Sequence, residues 1–138
     1  AEQAIEAGAK FIVSPGLEKK VVRIAQEAAL PVFPGIATAT ELQNAWNMGL
    51  GTVKFFPAGL AGGTDMLKAL AAVFRGVRFM PTGGVSAANL GEYLAVPQVI
   101  ACGGSWLTPT SAITAGDYAT VTRLANAARA IADGARLA

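Results

Sequence analysis

The sequence contains no histidine and only one cysteine, Cys102. The first absence removes a histidine base, a Ser–His–Asp triad and histidine metal ligands from the available chemistry. The second excludes an internal disulfide framework and suits a reducing cytosol. Charge is sparse as well: 14% of the 138 residues are charged, against about a quarter in an average domain. The net charge is +2, and the lysines and arginines are scattered. There is no basic stripe with interleaved aromatics, so nothing points to nucleic acid. Long apolar runs are missing too. Polar residues, glycines and prolines break every one far below the length that spans a bilayer, and no segment reads as a signal peptide with a basic leader.

What is abundant is apolar sequence, at 53%. So high a share implies deep burial, as in a sheet covered on both faces, or a large partner interface. The length suffices for one domain with its own core. The opening stretch, Ala1-Glu2-Gln3-Ala4-Ile5-Glu6-Ala7-Gly8, begins inside a helix pattern without a cap or an initiator methionine, and Gly8 is its stop. It reads as the continuation of something upstream.

A repeat organises the rest. Short apolar strands are predicted at Phe11-Ile12-Val13, Pro31-Val32-Phe33, Thr52-Val53-Lys54-Phe55-Phe56, Val77-Arg78-Phe79-Met80 and Val99-Ile100-Ala101-Cys102. Most are continuous apolar runs, the pattern of parallel strands buried on both faces. Each ends in proline or glycine: Ser14-Pro15-Gly16, Pro34-Gly35, Pro57-Ala58-Gly59, Pro81-Thr82-Gly83-Gly84 and Gly103-Gly104-Ser105. Proline removes a ladder donor and glycine permits a tight exit. Helices follow at 17–29, from the Thr38–Glu41 capping box to Gly49, from Thr64 or Asp65 to Phe74 before Gly76, at 87–94 behind Ser86, and at 118–132 behind Asp117.

Strict β-α alternation implies a parallel sheet with right-handed crossovers. The two candidates are an open doubly wound sheet and part of a (β/α)8 barrel, since a full barrel needs eight units. The loops favour the barrel. In barrels a phosphate site is often built from the loops after strands 7 and 8, and here the Gly83-Gly84 and Gly103-Gly104-Ser105 loops follow consecutive strands. Glycine pairs let the backbone approach a phosphate closely, and both loops lead towards helix starts, where free N–H groups favour anions. Either pair alone could be an ordinary turn. Taken together they number the five strands 4 to 8 and put Lys54 on strand 6.

Lys54 is the residue with chemistry to offer. A lysine in a buried strand is costly unless it is paired, neutral or covalently used. The neutral amine is the nucleophile that forms a Schiff base with a carbonyl. A strand lysine can also snorkel its head to solvent. Against that, no acidic neighbour shares the strand, and Phe55-Phe56-Pro57 supplies apolar walls. The acids Glu2, Glu6, Glu18, Glu27, Glu41 and Glu92 all fall in helix patterns and read as solvated faces. Arg78 is placed towards the bottom of the sheet or the helix layer. Trp46, Met48, Met66, Phe74 and Trp106 read as packing, and Cys102 as core.

The series Ser14-Pro15-Gly16, Pro34-Gly35-Ile36, Val53-Lys54-Phe55-Phe56-Pro57-Ala58, Pro81-Thr82-Gly83-Gly84-Val85 and Gly103-Gly104-Ser105-Trp106-Leu107 closely resembles the 2-keto-3-deoxy-6-phosphogluconate (KDPG) and 4-hydroxy-2-oxoglutarate aldolase family over essentially the whole chain. That resemblance implies a (β/α)8 barrel, of which residues 1–138 form the C-terminal part of one domain, with strands 1 to 3 absent. It implies a homotrimeric, cytoplasmic class I lyase that splits KDPG into pyruvate and glyceraldehyde 3-phosphate without metal or cofactor. By the same resemblance Lys54 is the Schiff-base lysine, and Thr82, Phe56 and Pro15 contact the substrate. Gly83, Gly84, Gly104 and Ser105 contact its phosphate. The implied partners are a small 2-keto acid and a phosphorylated sugar acid, with neither nucleic acid nor membrane.

The sequence departs from the family in one respect. The family carries its general acid/base glutamate and a carboxylate-binding arginine in an early strand, and no such segment is present here. Two other readings therefore stand beside the aldolase. One is another phosphate-binding barrel enzyme, such as a sugar-phosphate epimerase or thiamin-phosphate synthase. The other is a catalytically incompetent half-barrel serving as a scaffold or phosphate binder, with open edges that favour self-association.

Overall fold

Alternate residues of each strand go to opposite faces of a sheet, and here the two faces have different environments. The structure, a computed structural model, describes residues 1–137. Its sheet contains β1 (Ile12–Ser14), β2 (Val32–Ile36), β3 (Thr52–Phe55) and β4 (Arg78–Pro81), all parallel and in the order β1-β2-β3-β4. Val53, Phe55 and Phe79 have no exposed surface. They face the layer formed by α2 (Lys19–Glu27), α3 (Ala39–Asn47) and α4 (Gly63–Val73). Burial of each phenylalanine contributes roughly 1.5–3 kcal/mol. Val22, Ala25, Leu42, Ala45, Leu67 and Leu70 complete that core from the helix side. The in-between residues, Lys54 and Met80, are only partly buried on the other face.

The strand order contains no reversal. Each crossover joins spatial neighbours in one direction, so right-handed connections place all the helices on one face. A doubly wound sheet needs a switch point, and none occurs among these strands. The opposite face, with Lys54 on it, carries no helix layer.

Several predicted boundaries shift. The first helix, α1, covers Glu2–Glu6, and Gly8 follows with φ +89°, as its stop requires. α2 begins at Lys19, because Glu18 is its cap and accepts from the Lys20 N–H at 2.9 Å. The Thr38–Glu41 capping box forms with both reciprocal bonds. Pro34 and Gly35 were expected to end β2, but the strand continues to Ile36, whose carbonyl accepts from Phe56 N–H at 3.0 Å. Pro81 likewise closes β4 from inside it, and its carbonyl still accepts from Gly103 N–H at 2.9 Å.

The expected fifth strand at Val99-Ile100-Ala101-Cys102 forms only isolated parallel bridges, Phe79 with Val99 and Thr82 with Gly103. Three residue steps on β4 face four on this segment. That is the signature of a β-bulge, in which one extra residue interrupts the ladder. The segment still runs alongside β4, but it is not a regular strand.

The following helices differ too. α5 is short, Leu90–Leu94, and begins three residues later than Ser86 capping predicts. A 3-10 turn at Ser105–Leu107 and a short α6 (Thr110–Thr114) precede α7, which runs Tyr118–Leu137 with Asp117 accepting from Thr120 N–H at 3.0 Å. α7 packs on α5 through Ile131 against Gly91. No helix among the described residues is long and apolar enough to cross a membrane.

Candidate active site

Parallel pairing sets the neighbours of Lys54. Gly35 of β2 stands on one side of it and Met80 of β4 on the other. Side chains directly opposite each other share a face, so Lys54 rises from the same face as Met80 and Phe33. This face lines a cavity of about 330 Å³ bounded by Phe11, Val13, Phe33, Lys54, Met80 and Thr82, with Ala101, Cys102 and Gly103 along the bulged segment. A larger hollow of about 550 Å³ lies between α3 and α4, lined by residues such as Met66, Leu70 and Phe74, and it carries no titratable side chain. Lys54 and Cys102, the titratable side chains of these two hollows, both line the smaller one.

Lys54 is not sealed from water. The structure leaves it half-buried, because Phe11 and Val13 on the same face are 56% and 47% exposed. The amine is nevertheless held: Nζ lies 4.2 Å from the centroid of the Phe56 ring, within range of a cation–π contact. That ring rests on the backbone of Gly83, where an added Cβ would come within 3.1 Å of it. Lysine, aromatic ring and glycine loop are therefore stacked in one column.

Pro15 reaches the site through its backbone. A Cβ on Gly35 would overlap the Pro15 carbonyl, so the bare Gly35 admits the turn after β1 next to Lys54. Thr82 sits at the end of β4, donates its N–H to Phe55 O at 2.9 Å and bridges to Gly103. That bridge brings the two glycine loops side by side at the C-terminal edge of the sheet. Gly83 and Gly84 both have positive φ, +87° and +81°. Gly104 is extended (φ −151°), and a Cβ there would run into the Trp106 ring, which packs under this loop. Ser105 is exposed and opens the 3-10 turn.

The helices after these loops are too short and start too late to supply a dipole. The donors available are the loop amides themselves. The N–H groups of Gly83, Gly84 and Val85 donate to no acceptor among the described residues.

No carboxylate lines the Lys54 cavity among the described residues. Glu18 and Glu41 are occupied as helix caps. Arg78 is exposed and pairs with Thr52 at the far end of its strand. Cys102 borders the cavity, but burial pushes its thiol up to about 11, so it stays protonated and unreactive near neutrality. Sequence reasoning missed Phe33 and Met80 as neighbours of Lys54, although period-two alternation and register carry that signal. It also missed Asn89, which lies inside the helix predicted at 87–94 behind Ser86 and instead precedes the shorter α5.

A family profile for KDPG and KHG aldolase matches residues 1–124. The chain belongs to the KDPG and KHG aldolase family. It is 52% identical over 124 residues to a 2-dehydro-3-deoxy-phosphogluconate aldolase of Treponema pallidum, covering 90% of this chain and 59% of that one. Its fold matches a 4-hydroxy-2-oxoglutarate/2-dehydro-3-deoxyphosphogluconate aldolase from TTHB1 with a TM-score of 0.87 at 44% identity, over 95% of this chain and 62% of that one. It also matches the KDPG aldolase of Legionella pneumophila, solved with pyruvate as a covalent carbinolamine. There the TM-score is 0.86 at 41% identity, covering 89% of this chain and 60% of the relative. The chain thus spans about three-fifths of the length of the aldolases it matches.

Proposed function

We propose that this chain carries the Schiff-base half of a class I aldolase that cleaves KDPG to pyruvate and glyceraldehyde 3-phosphate, with 4-hydroxy-2-oxoglutarate as a second substrate. The observation that carries this reading is the column of Lys54, Phe56 and Gly83 beside free backbone donors. Lys54 Nζ attacks the C2 ketone, and loss of water from the carbinolamine gives an iminium. A base takes the proton from the C4 hydroxyl, the C3–C4 bond breaks, and its electron pair enters the iminium to form an enamine. The aldehyde leaves, a proton returns to C3, and water hydrolyses the iminium to pyruvate and the free amine.

Phe56 and Pro15 line the keto-acid end in this reading, and Thr82 stands beside the reacting carbons. Gly83, Gly84, Gly104 and Ser105 hold the distal phosphate. Support comes from family membership and from the pyruvate carbinolamine in the Legionella relative. The four strands and the bulged segment beside β4 would correspond to numbers 4 to 8 of a (β/α)8 barrel whose interior is the Lys54 face. The homotrimer and cytoplasmic setting implied by the family belong to the same proposal.

With no carboxylate beside Lys54 among the described residues, this chain alone is expected to form the imine and turn over weakly. A retro-aldol assay with KDPG and a pyruvate readout tests the reading. Slow pyruvate release that disappears in Lys54→Arg supports it. Release unaffected by Lys54→Arg, or phosphate-ester binding with no reaction at the lysine, favours a different barrel enzyme or a binding scaffold.

A further inference from the structure

An asparagine at a helix N-cap normally accepts a hydrogen bond from the N–H two or three residues on. Asn89 occupies that position before α5, yet its side chain makes no cap bond. It turns back instead. Nδ2 donates to Gly84 O at 3.0 Å, and Oδ1 accepts from Ser86 N–H at 2.8 Å. The orientation of the amide is fixed by its partners, since a carbonyl can only accept and an N–H can only donate. From the other side, Ala58 N–H donates to Thr82 O and Gly59 N–H to Gly83 O, both at 2.9 Å. An added Cβ on Gly84 would come within 3.1 Å of Gly59 Cα. Three successive carbonyls are thereby tied back, while the amides of Gly83, Gly84 and Val85 keep no protein acceptor among the described residues. Backbone donors held in this way form an anion-binding concavity. Of the groups that tie the loop back, Asn89 is the one side chain, so it is the one that a substitution can remove without altering the strands.

We propose that Asn89 is a positioning residue that sets the affinity of the glycine loop for a phosphate monoester, and with it the preference for the phosphorylated aldol over 4-hydroxy-2-oxoglutarate. The inference rests on the reading above, in which Gly83 and Gly84 hold the phosphate. Asn89 touches no reacting atom. It acts by keeping the Gly84 carbonyl turned away and the following amide fixed, so its loss affects one end of the site only.

The test titrates glycerol 3-phosphate into the full chain while following the backbone amide resonances of Gly83, Gly84 and Val85. Borohydride trapping of pyruvate on Lys54 is measured in parallel. Asn89→Ala removes the bonds to Gly84 O and Ser86 N–H and a longer one accepted from the Ser86 hydroxyl at 3.4 Å, and it is expected to weaken phosphate-ester binding about tenfold and to leave pyruvate trapping within about twofold. Asn89→Gln keeps the amide but moves it one methylene outward. It should show the same split, which guards against loss of folding in the alanine variant. Unchanged ester affinity in a folded variant overturns the proposal. So does a parallel loss of ester binding and pyruvate trapping, or an ester that leaves the three amides of the unaltered chain unperturbed. If ester binding falls in the variants while the unaltered chain traps no pyruvate, the lysine chemistry fails and the role of Asn89 stands.

Discussion

The Lys54 Nζ stands 4.2 Å from the centroid of the Phe56 ring, and the ring in turn lies against the backbone of Gly83. The contact ties the proposed nucleophile to the loop that is proposed to hold the far end of the substrate. A cation over an aromatic face gains about 0.5–1 kcal/mol at a partly exposed site. The same face suits the cationic iminium that follows.

Replacing the ring tests this coupling. Phe56→Leu preserves apolar bulk and removes the π face. Because the attacking amine is neutral and the iminium that borohydride traps is a cation, pyruvate trapping is expected to slow about two- to fivefold, the equivalent of a cation–π contact made by the iminium. An unchanged rate would mean that the ring only fills space.

Gly83 is constrained twice, by φ +87° and by the Phe56 ring 3.1 Å from any added Cβ. Gly83→Ala is expected to lose about 1–2 kcal/mol of stability from the left-handed backbone alone. Displacement of the ring should also lower pyruvate trapping. Denaturant unfolding measures the first effect and mass spectrometry of the reduced adduct the second.

Gly35 and Gly51 form a matched pair for a second stability test. Alanine at 35 would collide with the Pro15 carbonyl, whereas nothing lies within 4 Å of a Cβ at 51. Gly35→Ala is expected to cost about 1–3 kcal/mol, as overpacking does. Gly51→Ala should be neutral or gain up to about 1 kcal/mol by restricting the unfolded chain. Similar thermal midpoints for the two would contradict the placement of the Pro15 turn over Gly35.

The Thr38–Glu41 capping box makes stability depend on pH. The Ala37 N–H, first among the causes, and the Thr38 hydroxyl and N–H hold the Glu41 carboxyl below its usual 4.5. A folded-state value below the unfolded one means that the stabilisation is complete above about 4.5 and is lost as pH falls through the lowered value. Glu41→Gln should therefore flatten the dependence of the unfolding midpoint on pH in that acid range. Because Glu41 is only partly buried, solvent screening keeps the effect to a few tenths of a kcal/mol, on the order of a surface ion pair.

Much of this architecture was legible in the sequence because it follows from local chemistry. The Thr38–Glu41 box, the Gly8 and Gly49 stops and the apolar strand cores depend on neighbours within a few residues. The prolines misled, since Pro34 and Pro81 lie inside strands where the ladder continues through other groups. The fifth strand failed for a non-local reason, the extra residue between Val99 and Gly103 that throws the segment out of register with β4. In the site, Lys54 and the glycine loops could be found by residue type. The seat of Phe56 on Gly83, the Pro15 carbonyl on Gly35 and the backward reach of Asn89 could not. Each depends on which strands lie side by side, and the one-dimensional pattern constrains that only through alternation.

The account turns on whether the amine at position 54 condenses with a 2-keto acid. Incubating the chain with pyruvate and borohydride, digesting it and mapping the reduced adduct answers this directly. The account predicts modification of the peptide that contains Lys54, with the other lysines untouched and no adduct in Lys54→Arg. An unmodified Lys54 peptide, or an adduct spread over surface lysines such as Lys19 and Lys68, would contradict it.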